Sequence, residues 1–173
     1  LFSMKKINMV DLNGQYRKIR WQVNREIKKV INTSSFVNGP IVKEFQNNLQ
    51  EYLGVKHVIP CANGTDALQI ALMALDLKIG DEVITTNFSF ASTIEVILLL
   101  GLKPVVIDID PRTFNINPDL IQDKISNKTK AIIPVHLFGQ SCRMEEILEI
   151  SNKNNIQVIE DNAQALGSKY KFS

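Results

Sequence analysis

Five short apolar runs alternate with segments of helical period along most of the chain. The runs are His57 to Cys61, Glu82 to Thr86, Pro104 to Ile109, Ala131 to His136 and Gln157 to Glu160. Between them lie helix candidates Thr65 to Leu75, Ser89 to Leu100, Pro118 to Ile125 and Met144 to Lys153. Strands joined by helix-length crossovers run parallel, and the crossovers cover both faces of the sheet. The pattern therefore predicts an α/β fold with a mostly parallel sheet and helices on both faces. Pro134 sits awkwardly in the fourth run, because proline has no N–H to give to a ladder. The segment after Gly64 is apolar nearly all round, which predicts a helix buried on several sides. Ahead of the alternation, Gln15 to Ile31 carries Ile19, Val23, Ile27, Val30 and Ile31 at helical spacing, as one buried stripe. Ser34 to Pro40 breaks that helix. A second one is predicted from Val42 to Tyr52, with Phe45, Leu49 and Leu53 on its apolar face and Gly54 as its stop.

Composition narrows the function classes. The chain has 173 residues, enough for one domain with a sizeable core. A net charge of +2 gives no argument for nucleic acid or an anionic membrane as partner. Two cysteines, Cys61 and Cys142, form no disulfide framework, so a reduced, cytoplasmic setting is expected. No apolar run approaches the roughly 18 residues that span a bilayer. Leu1-Phe2-Ser3 ahead of Met4 has neither apolar core nor cleavage site and does not read as a signal peptide. The two histidines and two cysteines lack zinc spacing, so no metal site is expected, and His57 and His136 read as ordinary strand residues.

Three stretches invite chemistry, each with a plainer alternative. Asn63-Gly64-Thr65 opens a helix behind a strand candidate. Free N–H groups and the helix dipole there suit a phosphate, with Gly64 allowing close approach and Thr65 adding a hydroxyl donor. The alternative is an ordinary cap made by Asn63 or Thr65. Asp161 ends the apolar run Val158-Ile159, at the carboxyl edge where open α/β sheets bind ligands. A buried carboxylate needs a partner, either a protonated ring nitrogen or the N–H groups of the segment it caps. Gln164, three residues on, shares its face if the segment forms a helical turn, and reaches a second polar atom of the same ring; otherwise it is a solvated amide. In Thr86-Asn87-Phe88-Ser89-Phe90, Phe90 is the choice to cover a flat cofactor and Phe88 the alternative, against both being core.

Taken together, these stretches resemble the DegT/DnrJ/EryC1/StrS family of pyridoxal-phosphate-dependent sugar aminotransferases. The resemblance rests on Val10-Asp11-Leu12, Phe36-Val37-Asn38-Gly39-Pro40, Asn63 to Leu68, Ser89 to Thr93, Pro134 to Gln140 and Ile159 to Gly167, which occur in the family's order. It implies a type I pyridoxal-phosphate (aspartate aminotransferase-like) large domain, incomplete in this chain, and a homodimer with sites at the subunit interface. Residues 1–35 would be an N-terminal segment and helix, and 36–173 the first part of the large domain. By position, Gly64 and Thr65 would hold the cofactor phosphate and Phe90 would stack on its ring. Asp161 would pair with the pyridine nitrogen, and Gln164 would reach the phenolic oxygen. The implied reaction takes an amino group, with glutamate as donor, to a nucleotide-linked keto sugar. Gly139-Gln140 and Asp161 to Gln164 are similar to the branch that aminates 3-keto sugars on dTDP rather than the 4-keto branch.

The Schiff-base lysine of that family lies in a serine- and lysine-containing stretch beyond the Asp161 motif. Lys169 and Lys171 do not match it, so the catalytic residue is expected beyond Ser173 and the chain reads as the N-terminal portion of a longer enzyme. The alternatives are a sugar dehydratase of the same fold, with histidine for lysine, and a non-catalytic protein that binds cofactor or sugar nucleotide. No G-x-G-x-x-G or Walker-type loop supports a plain nucleotide-binding module.

Overall fold

The computed structural model describes residues 10–172. The readings of Leu1 to Met9 and of Ser173 lie outside them. The chain divides between Pro60 and Cys61 into two compact units.

The first unit is a helix pair. Helix α1 spans Leu12–Thr33; Asp11 caps it by accepting the Gly14 N–H at 2.9 Å, and Ser34 ends it in the left-handed region. Helix α2 spans Pro40–Leu53, with proline at its first turn and Gly54 at φ +67 as its stop. The turn between them needs Gly39, because a Cβ there would meet the Ser35 carbonyl oxygen at 2.6 Å. The expected buried stripe of α1 is a correction. Ile27 and Ile31 are 51% and 56% exposed, and Val23 and Val30 are only half-buried. Within this unit, two helices have too little facing surface to cover it.

The predicted strand at His57 to Cys61 is likewise absent, and the segment is irregular. Its apolar run is real, but Ile59 is 77% exposed and the Val58 carbonyl accepts from Gln46 Nε2 at 2.8 Å instead of from a ladder. Apolar character without a pairing neighbour does not make a strand.

The second unit is the α/β layer structure. Strands β1 (Glu82–Thr86), β2 (Lys103–Ile107), β3 (Thr129–Ile132) and β4 (Gln157–Val158) form a parallel sheet in the order β2-β1-β3-β4. Helices α3 (Gly64–Met73), α4 (Ser92–Leu99) and α5 (Met144–Asn154) cover it. Neighbouring strand residues point to opposite faces. Val83, Ala131 and Ile133 pack with Leu68 and Leu72 of α3 and Val96 and Ile97 of α4. Ile84 and Ile132 pack with Met144 and Ile147 of α5 and with Ile107, Ile116 and Ile121. Two cores, one on each side of the sheet, are the arrangement that the alternation predicts. Pro118 to Ile125 forms two 3-10 turns rather than a helix. Asn117 caps the first of them, and Ile121, at 0% exposure, anchors the segment to the core.

At the amino end of the sheet, Glu82 is buried and accepts from Ser126 Oγ at 2.6 Å, Lys103 Nζ at 2.9 Å and Thr129 Oγ1 at 3.4 Å. The Ser126 hydrogen bond, then that of Lys103, lowers its carboxyl below the usual range against the effect of burial. A carboxyl lowered on folding stabilises the fold above the ordinary glutamate range, and that contribution is lost as pH falls through the folded value. Urea unfolding of the full-length protein between pH 7 and pH 3 is expected to show a shallower acid loss in Glu82→Gln than in the wild type.

Candidate functional site at the carboxyl edge of the sheet

Pro134 shapes this edge. Ile132 O accepts from Ile159 N at 3.0 Å and Pro134 O from Asp161 N at 2.9 Å. The ladder between these two segments would next need a donor at position 134, and proline has none. Regular β3 therefore stops at Ile132, short of the predicted His136, and pairing resumes as a single bridge between Val135 and Asp161. Three segments leave the sheet here: Asn87 to Phe90 after β1, His136 to Gly139 after β3, and Asp161 to Gln164 after β4.

Asp161 is buried, with 8% exposure. Its Oδ2 accepts from Thr93 Oγ1 at 3.1 Å, and its Oδ1 from the Ala163 N–H at 3.1 Å. The cap reading holds for one oxygen, which accepts from the following turn, while the other faces Thr93 of α4. Thr93 is itself bonded by Ser89 Oγ at 3.3 Å, which ties Asp161 to the Phe88-Ser89-Phe90 loop. Among the described residues, no lysine, arginine or histidine nitrogen lies within 4.0 Å of this carboxylate. A buried anion held only by neutral donors is a receptive partner for a cation.

Gln164 sits in a turn closed by Ala165 N to Asn162 O, not in a helix. Its Oε1 accepts from the Phe138 N–H at 2.6 Å. That bond fixes the amide orientation and leaves Nε2 as a donor without a partner among the described residues. Phe90 is 76% exposed, so the core reading of it does not hold, and Phe88 is 44% exposed. Phe88, Phe90, Phe138 and Gln164 line a cleft of about 300 Å³ together with Asn87, Ser89 and Leu137.

The cleft has an aromatic margin. Phe114 stands 5.8 Å from Phe88 and 6.2 Å from Phe138, centroid to centroid. Both Phe114 (φ +61) and Phe138 (φ +56) lie in the left-handed region, a costly backbone state for phenylalanine. The Phe114 turn is held by its N–H to Asp110 O at 2.8 Å. The Arg112 guanidinium holds the Asp110 carboxyl down at about 2.

At the start of α3, the cap reading is correct for Asn63, whose Oδ1 accepts from Asp66 N at 2.9 Å. The N–H groups of Gly64 and Thr65 have no acceptor among the described residues, and a Cβ at Gly64 would meet nothing within 4 Å. The first turn is therefore open above its free donors. Because α3 runs back toward the amino end of β1, that turn lies toward the carboxyl edge of the sheet.

Of the five predicted residues, Phe90 and Gln164 share one cleft, and Asp161 joins the Phe90 loop through Thr93 and Ser89. Gly64 and Thr65 line neither. Thr93 and Phe138 escaped the sequence reading. Nothing local marks Thr93 as the partner of a carboxylate 68 positions away, and nothing marks Phe138 as a left-handed residue.

Residues 17–172 match the DegT/DnrJ/EryC1/StrS aminotransferase family. A relative from Pseudomonas aeruginosa, UDP-2-acetamido-2-deoxy-3-oxo-D-glucuronate aminotransferase, is 46% identical over 165 residues, 95% of this chain and 46% of its own length. A Bacillus subtilis relative, 3-oxo-glucose-6-phosphate:glutamate aminotransferase, is 42% identical over 141 residues, 82% of this chain and 32% of its own length. The crystal structure of NtdA from Bacillus subtilis with bound cofactor PMP superposes with a TM-score of 0.86 at 37% identity, covering 95% of this chain and 39% of that one. The chain spans less than half the length of the curated relatives it matches. With the family match covering nearly the whole chain, and the parallel sheet in place, the chain belongs to the DegT/DnrJ/EryC1/StrS aminotransferase family.

Proposed function

We propose that the whole protein transfers an amino group, with glutamate as donor, to a nucleotide-linked 3-keto sugar, and that this chain holds pyridoxal phosphate for the reaction. The observation that carries the reading is Asp161, a buried carboxylate with two neutral donors and, among the described residues, no cation beside it. A pyridinium N–H supplies the missing charge, and the carboxylate keeps that nitrogen protonated, a shift of roughly 1–3 pKa units. The other residues fit the same group. Gly64 and Thr65 offer free N–H groups to a phosphate, where the helix dipole adds about 0.3–2 kcal/mol. Phe90 offers an exposed ring face, and Gln164 Nε2 a donor for the phenolic oxygen. When bound, the cofactor supplies an electron sink for amino transfer. The protein's part is to hold it, keep its nitrogen charged and close one face with an aromatic ring. The lysine this chemistry requires would come from the part of the whole protein that the longer relatives contain.

The 3-oxo position is supported by the names of both relatives, and the glutamate donor by the Bacillus subtilis one. A nucleotide carrier is supported by the Pseudomonas relative, whose name carries UDP, while the motifs suggest dTDP. The exposed Ile27, Ile31, Phe36 and Val37 of the first unit suit burial in a homodimer. No helix among the described residues is long and apolar enough to cross a membrane, and a cytoplasmic enzyme is part of this reading.

The test is amino transfer by full-length protein loaded with pyridoxal phosphate. Glutamate is supplied with UDP- and dTDP-linked 3-keto sugars, their 4-keto counterparts and 3-oxo-glucose 6-phosphate. We expect 2-oxoglutarate and amino sugar from the nucleotide-linked 3-keto substrates. Product from 4-keto sugars alone, or from the 6-phosphate alone, refutes the substrate assignment.

A further inference from the structure

Behind Asp161 lies a buried side chain for which the cofactor contacts have no use. His136 is 2% exposed. Its Nδ1 accepts the Cys142 N–H at 3.0 Å, and its Nε2 lies 2.8 Å from Glu160 Oε2. A ring nitrogen that accepts an N–H carries no proton, so the ring's proton is on Nε2 and is donated to Glu160. Protonating Nδ1 as well would set two N–H groups against each other. The two contacts together select one neutral tautomer. The hydrogen bond from His136 lowers the Glu160 carboxyl below its usual range despite partial burial, in keeping with an ionised acceptor. Cys142 adds a second tie to the same strand end, with Sγ bonded to Val135 O at 3.2 Å, and burial pushes its thiol up to about 12, which keeps it protonated as the donor.

The position of this group matters because of Pro134. The ladder that should hold the segment of residues 159–161 against β3 lacks its donor at position 134. Just past that gap His136 ties the segment twice: its backbone N–H donates to Asp161 O at 3.1 Å, and its ring holds the side chain of the preceding residue, Glu160. We propose that His136 is a positioning residue, which in its Nε2-protonated neutral form clamps Glu160-Asp161 to the loop at Cys142 and so fixes the Asp161 carboxylate toward the cofactor's ring nitrogen. The proposal rests on the cofactor reading of Asp161.

The experiment uses full-length protein and pyridoxamine phosphate as the probe. The ring nitrogens of His136 are read by ¹⁵N NMR, and pyridoxamine phosphate affinity and bound-cofactor absorbance are read in the wild type, His136→Leu, His136→Asn and His136→Gln. We expect the Nε2–H tautomer in the wild type. His136→Leu is expected to weaken binding about tenfold, the scale of one lost hydrogen bond to a charged group, and to shift the absorbance. His136→Gln, which restores a donor for Glu160, should recover part of both. A purely structural role would lower the melting temperature while leaving the affinity and absorbance of the folded protein unchanged, and that result overturns the proposal. So does an Nδ1–H or doubly protonated ring. Should His136→Leu fail to fold, Glu160→Gln replaces it, with the same direction of change expected; unaltered absorbance and affinity there overturn the clamp. Wild-type protein that binds no pyridoxamine phosphate overturns the cofactor reading instead, whatever tautomer the NMR reports.

Discussion

Asp161→Asn is expected to separate cofactor function from stability. Asparagine keeps the geometry, because its oxygen accepts from Ala163 N–H and its amide donates to Thr93 Oγ1 with that hydroxyl turned around. What it loses is the charge. A carboxylate that raises a ring nitrogen's pKa by about 1–3 units supplies 10- to 1,000-fold in the protonated population, and the rate of amino transfer should fall by about that much. The unloaded protein, by contrast, should be no less stable than the wild type. Its Asp161 is a buried carboxylate without a counter-cation among the described residues, and removing such a charge relieves desolvation. Enzyme assays and urea unfolding of unloaded protein measure the two effects. A variant that loses activity because it unfolds would mean that Asp161 is a structural cap.

The largest effect on stability is expected from the sheet interior. Ile132 is fully buried, in the middle of the layer between β3 and α5, where it meets Ile84, Met144 and Ile147. Ile132→Ala removes three carbons and leaves a space that the flanking strands cannot close, a loss of about 2–5 kcal/mol. Ile79→Ala is the control: at 88% exposure it should change stability by no more than about 0.5 kcal/mol. Urea titration of the full-length protein measures both. A cost for Ile132→Ala as small as that of Ile79→Ala would mean that β3 is not the centre of the sheet.

How legible this was in the sequence depended on the range over which each feature is decided. β1 and α5 follow from their own residues: an apolar run or an amphipathic face, ended by turn residues, finds its layer wherever the sheet forms. The segment at His57 to Cys61 shows the limit, since its apolar run has no ladder partner and Gln46 takes the Val58 carbonyl. Pro134 was visible as a difficulty. Its consequence, a β3 ending at Ile132 and a histidine tying the segment just past the gap, depends on which segment lies alongside. The site divides in the same way. Asp161 and Gln164 stand out because a strand delivers them to the edge where parallel sheets bind ligands. Thr93, Phe138 and the His136–Glu160 pair take their roles from neighbours 24 or more positions away. His57 and His136 look alike as single letters on apolar runs; only burial and two aligned partners set His136 apart.

In the function proposed here, Asp161 faces a pyridine nitrogen and keeps it charged. The most direct measurement is the ¹⁵N NMR signal of ring-labelled pyridoxal phosphate bound to full-length protein, in the wild type and in Asp161→Asn, from pH 6 to pH 9. A protonated ring nitrogen throughout that range in the wild type, and an unprotonated one in the variant, is the predicted result. The same protonation state in both proteins would contradict the account and return Asp161 to the role of a turn cap.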